Sequence, residues 1–101
     1  MNVSSLLKYL QPLRDKNYSV YLKISYYCYV PIENIDVRNG IIILNTGQYP
    51  LVIKPLVKVL LQQDDCTLVI VQDGISIFHV VAIEILYNTV VLIINCKKNS
   101  W

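Results

Sequence analysis

The run IENIDVRNGIIIL, residues 32–44, holds a strand, a tight turn and a returning strand. Asn39 and Gly40 both tolerate a positive φ, which a type I′ hairpin demands at its two central positions. The pattern returns 48 residues later. Ile32-Glu33-Asn34-Ile35-Asp36-Val37 becomes Val80-Val81-Ala82-Ile83-Glu84-Ile85, and the apolar return Ile41-Ile42-Ile43-Leu44 becomes Val90-Val91-Leu92. A second echo lies upstream at an offset of 50: Leu6-Leu7-Lys8-Tyr9-Leu10 against Leu56-Val57-Lys58-Val59-Leu60. Self-similarity of this period predicts two copies of one supersecondary unit. The drop in offset from 50 to 48 is what a short deletion between helix and strands would leave.

Outward from that run, each half reads as one helix and three strands. Val3 to Gln11 predicts a short helix with Leu6, Leu7 and Leu10 on one stripe, capped by Ser4 or Ser5. Pro12 stops it, because proline lacks an amide donor and clashes inside a helix. Val20-Tyr21-Leu22-Lys23-Ile24-Ser25 alternates as a strand with one buried face should. Pro31 predicts an edge or strand-start position. The second half opens a helix at Lys54-Pro55, with proline in the first turn. Thr67–Val71, the turn Asp73-Gly74, a long strand Ile75–Ile85 and Thr89–Ile94 complete it. That long strand alternates Ile75, Ile77, His79, Val81, Ile83 and Ile85 on one face. The expected architecture is α+β: a single domain, 1–101, of two pseudo-repeated αβββ halves, 3–46 and 50–96. They form a mostly antiparallel sheet with two short helices, and the tail Lys97-Lys98-Asn99-Ser100-Trp101 is loose.

Composition narrows the function. Hydrophobic residues make up 54% of the chain without glycine, against a usual ~45–50% with glycine counted. Charged residues are 16%, below the usual ~25%. Leu68-Val69-Ile70-Val71 and Val90-Val91-Leu92-Ile93-Ile94 do not alternate, so both faces of those strands should be covered. Two helices cover only part of two sheet faces, and a homodimer closes the rest most simply. A membrane helix is excluded: a span needs roughly 20 apolar residues, and Gln72, Asp73, His79, Glu84 and Asn88 interrupt every window. Lys8, Gln11 and Arg14 likewise break any signal-peptide core. A net charge of +2 does not by itself call for a nucleic-acid partner. Cys28, Cys66 and Cys96 have no close spacing, which predicts free thiols in a reducing cytoplasm.

Little in the chain predicts catalysis. His79 is the only histidine and has no readable orienting partner. Asp64-Asp65, Asp36 and Glu84 fit no metal motif. The glycines belong to turns, not to a phosphate loop. The expectation is no enzyme, no catalytic residues, no metal and no cofactor. Tyrosine is the outlier. Tyr18, Tyr21, Tyr26, Tyr27 and Tyr29 crowd one stretch with Lys16 and Lys23. Three readings stay open: β-propensity alone, a protein-binding surface, or a stacking platform for a nucleotide or nucleic acid. Tyr21, Lys23, Tyr27 and Tyr29 are the expected partner-binding residues.

The leucine-rich helix, "VYLKIS" at 20–25 and "YVPIENIDVRNGIIIL" at 29–44 resemble a helix–strand module in small uncharacterised α+β proteins of phages and mobile elements. Gly40 and the apolar spacing carry the resemblance; Asn88 stands where the second turn would have its glycine. The resemblance implies a small non-enzymatic protein that binds and blocks a host or viral component. A protein partner is expected, with nucleotide or nucleic-acid binding as the alternative.

Overall fold

The structure, a computed structural model, describes residues 1–95; Cys96 and the tail 97–101 lie outside the described residues. Helix α1 (Val3–Leu10) runs into a 3-10 turn (Gln11–Leu13) that holds Pro12, followed by β1 (Ser19–Ser25), β2 (Cys28–Arg38) and β3 (Ile41–Thr46). Helix α2 (Ile53–Leu61) leads to β4 (Leu68–Asp73), β5 (Ser76–Leu86) and β6 (Thr89–Ile94). The six strands close into a barrel in chain order. Ladders β1–β2, β2–β3, β4–β5 and β5–β6 are antiparallel, and β3–β4 and β6–β1 are parallel. The sheet is therefore mixed. The parallel seam between β3 and β4 follows from α2, since parallel neighbours need a crossover rather than a hairpin.

The two 11-residue strands are the corners of the barrel. β2 pairs with β1 through Cys28–Pro31 and with β3 through Ile32–Arg38. β5 pairs with β4 through Ser76–His79 and with β6 through Val80–Leu86. Each changes neighbour beside a register shift: between Ile32 and Asn34 in β2, between Val80 and Ala82 in β5. A bulge adds a residue to one strand and bends it, which lets one strand serve two neighbours. A shift of 48 residues carries the β2–β3 register onto that of β5–β6, from Ile32 opposite Thr46 to Val80 opposite Ile94.

The bulges rearrange which side chains point inward. Before its bulge β5 buries Val80 and half-buries Phe78, while Ile77, His79 and Val81 are exposed. After it Ile83 is partly buried against the core. The single face expected from Ile75 to Ile85 is thus corrected: the extra residue at Val81 switches the parity, and the early isoleucines face solvent. Outer-face residues Ile70 and Val91 are nonetheless buried within one chain. Double-sided burial of β4 and β6 is met there without a second subunit.

Val20, Leu22, Ile42, Leu44, Val69, Val71, Val90 and Leu92 fill the interior. The helices pack on each other and add Val3, Leu6 and Leu10 from α1 and Ile53, Leu56 and Leu60 from α2. The cap of α1 is Asn2, whose side chain accepts from the Ser5 amide at 2.9 Å. Ser4 and Ser5 are not the cap, because the helix begins at Val3 and places both in its first turn. Val52 precedes α2 without a side-chain cap. The loops tie each helix start to a strand start: Val69 N–H donates to Met1 C=O and Val20 N–H to Leu51 C=O, both at 3.0 Å. Pro31 lies inside β2, not at its start; its carbonyl accepts from Gly47 N–H at 3.1 Å. At this level β3 has already ended, at Thr46 opposite Ile32, so the missing proline donor leaves no gap in a ladder.

Candidate tyrosine groove

Strand alternation sends Tyr21 and Lys23 of β1 outward, because the alternate residues Val20 and Leu22 are buried. Lys23 is paired with Tyr29 across the β1–β2 ladder. Its ammonium sits 5.3 Å from the ring centre of Tyr26 and 5.8 Å from that of Tyr29. Both fall within the ~6 Å over which a cation is attracted to a ring face. Tyr27 is 93% exposed in the hairpin turn, its ring 5.7 Å from that of Tyr26 and tilted by 50°. Lys23 and Tyr29 are thus brought together, and Tyr26 joins them. Tyr27 leans on Tyr26.

Tyr21 and Tyr29 line an open groove of about 330 Å³ with Leu86, Tyr87, Thr89 and Val91. The barrel builds it. The parallel seam sets Tyr21 beside Val91 and Ser19 beside Thr89, and the β5–β6 hairpin brings Leu86 opposite Thr89. One wall therefore comes from β1 and β2, the other from β5 and β6. Sequence reasoning found the first wall by its tyrosine density and missed the second, which is far along the chain.

Tyr87 is the telling member. It adopts φ +53° and is 97% exposed. A left-handed backbone costs an ordinary residue roughly 1–2 kcal/mol, and asparagine or glycine is the usual occupant. The corresponding turn after β2 places Asn39 at φ +50°, followed by Gly40 at φ +73°. A bulky aromatic ring held in that conformation and given to solvent contributes no packing that would offset its cost. Strain of this kind gathers at functional positions.

The barrel's first half shows the opposite chemistry. Asn45 Nδ2 donates to Asn34 Oδ1 at 2.8 Å and Asp36 Oδ2 at 3.2 Å. Arg38 approaches the same Asp36 carboxylate at 3.7 Å. At the bulge, Glu33 Oε1 accepts the Gln48 amide at 2.6 Å and the Tyr49 amide at 3.4 Å. Gly47 passes so close that a Cβ there would collide with the Glu33 side chain.

Elsewhere, two shallow clefts beside the helices share Arg14 and Asp15; Lys8 lines one, and Lys54 and Lys58 the other. Cys28 and Cys66 are free and exposed, so neither is a packing cysteine. His79 is exposed on β5 opposite Ile70. Among the described residues no group of three His, Cys, Asp or Glu side chains could hold a metal, and no helix is long and apolar enough to cross a membrane. No protein-family model, no curated protein and no solved structure matches the chain.

Proposed function

We propose that this chain is a small non-enzymatic binding protein of the cytoplasm, acting as a homo-oligomer. It engages a protein partner through the groove between Tyr21, Tyr29, Leu86 and Tyr87, flanked by Lys23 and Tyr27. The observation that carries the reading is Tyr87: an aromatic side chain, fully presented, on a backbone that disfavours it. Tyrosine is among the residue types enriched in binding hot spots, offering large contact area with a polar tip. The groove's lining carries no carboxylate, imidazole or thiol, which suits recognition rather than acid–base chemistry. The matching registers of β2 and β5 support an origin of the chain in two copies of one αβββ unit. A blocking protein of a phage or mobile element, implied by the resemblance of residues 10–44, would use such a surface.

Capture of partners with immobilised wild type and with Tyr87→Asn tests the reading. The variant keeps the fold, since asparagine suits the turn, and loses the partner. Equal capture by both would overturn the groove as the binding site.

A second reading is supported by the Lys23–Tyr26–Tyr29 stack and by the cations along the helical clefts: a nucleotide or nucleic-acid accessory protein. Phosphate-driven binding weakens steeply with salt. A single-stranded oligonucleotide that bound at low salt and left Tyr21→Ala unbound would favour it; no binding at low salt would remove it.

A further inference from the structure

The outward side chains of β5 are Ile77, His79 and Val81 before the bulge and Ala82, Glu84 and Leu86 after it, all exposed. The set has a symmetry of its own. If two β5 strands lie antiparallel with a twofold axis between Val81 and Ala82, Ile77 meets Leu86, His79 meets Glu84, and Val81 meets Ala82. Apolar side chains fall on apolar ones, and the single imidazole falls on the single carboxylate. We propose that this stripe is the face on which a second copy of the chain docks, β5 against β5 across a twofold.

Three features of the strand favour a second copy over a different partner. The first is the complementarity itself: a twofold interface must pair a patch with its own reverse, and the stripe does so, apolar on apolar and imidazole on carboxylate. The second is area. Ile77, Val81 and Leu86 stay 58%, 54% and 40% exposed, a row of apolar surface that docking of a second copy would take out of water. The third is the contrast with β2. There the corresponding positions are Tyr29, Pro31, Glu33, Asn34, Asp36 and Arg38, whose polar members are engaged within the chain. Pro31 and charged side chains blunt strand association; β5 has no proline, and its one carboxylate, Glu84, is the group that the twofold sets against His79. Leu86 also lines the tyrosine groove, so Ile77 of the second copy would close one wall of it. The inference rests on the homo-oligomer reading and adds its face.

Sedimentation of four chains tests it: wild type, Val81→Glu, His79→Glu and the double variant His79→Glu/Glu84→Lys, each checked for native circular dichroism. Wild type sediments as a concentration-dependent dimer. Val81→Glu weakens dimerisation by on the order of 100-fold or more, because it sets two carboxylates at the axis. His79→Glu weakens it by roughly 10-fold or more through like charges opposite one another, and the double variant recovers most of the loss. A fold defect would not be repaired by adding Glu84→Lys. Wild type that stays monomeric at high concentration overturns the homo-oligomer reading as a whole. A wild-type dimer indifferent to Val81→Glu and His79→Glu overturns this face alone.

Discussion

At its bulge β2 carries Glu33, whose carboxylate holds the amides of Gln48 and Tyr49. At the corresponding bulge β5 carries Val81, which is 54% exposed. The strands share length, bend and register, and their buried residues Ile32 and Val80 stand at matched places. They differ on the outside. β2 ends in Arg38 and turns through Asn39 where β5 ends in Leu86 and turns through Tyr87, and its neighbour β3 supplies Asn45 where β6 supplies Ile93. The inward residues are fixed by a core that both halves must fill. The outward residues are under no such demand, and one face is hydrogen-bonded to itself while the other is apolar.

The strongest way to break the comparison is through the shared interior. Ile32→Ala should cost about 2–5 kcal/mol by loss of buried contacts and the cavity left behind. Val80→Ala should destabilise in the same direction by less, since fewer methyl groups go. Urea unfolding checks both; a neutral Ile32→Ala would mean that the two strands are not corresponding supports of one core.

Next comes the feature that β2 alone has. Gly47→Ala forces a methyl group into the Glu33 side chain and should destabilise by about 1–3 kcal/mol, as overpacking does. Adding Glu33→Ala should return part of that loss. If the two substitutions were simply additive in thermal melts, the close approach would not be the cause.

Glu33→Ala alone should cost about 1 kcal/mol through two lost hydrogen bonds. Val81→Ala, read at a concentration where the chain is monomeric, should stay within about 0.5 kcal/mol, as exposed positions do. Equal effects at the two bulges would erase the distinction between a closed corner and an open one.

The smallest effect concerns the turns. Tyr87→Asn should raise stability by about 0.5–1 kcal/mol by relieving the left-handed backbone, and Asn39→Tyr should lower it by a similar amount. A Tyr87→Asn chain that melted earlier than wild type would show that the ring packs where it stands.

The elements were legible in the chain because each rests on local signals: the leucine stripes of α1 and α2, Asn39-Gly40 and Asp73-Gly74 at the turns, and alternation in β1. The closure was not. Tyr21 beside Val91 and Ile43 beside Ile70 are parallel pairings between distant segments, with no turn to announce them. The bulges were hidden for a different reason. An added residue at Val81 leaves the composition unchanged but reverses which isoleucines face the core. Half of the groove was legible as a tyrosine cluster. Tyr87 was not, because a turn position with positive φ predicts asparagine or glycine, and only the backbone shows a tyrosine bearing that strain.

The central claim is that β2 is closed within one chain while β5 is completed by another. Nuclear magnetic resonance with a soluble gadolinium chelate reads both strands in one experiment. At high protein concentration, the side-chain protons of Ile77, Val81 and Leu86 should be shielded while those of Glu33, Asn34 and Arg38 are bleached. On dilution below the dimer's dissociation constant the β5 signals should bleach as well. Bleaching of both strands alike at high concentration would contradict the account.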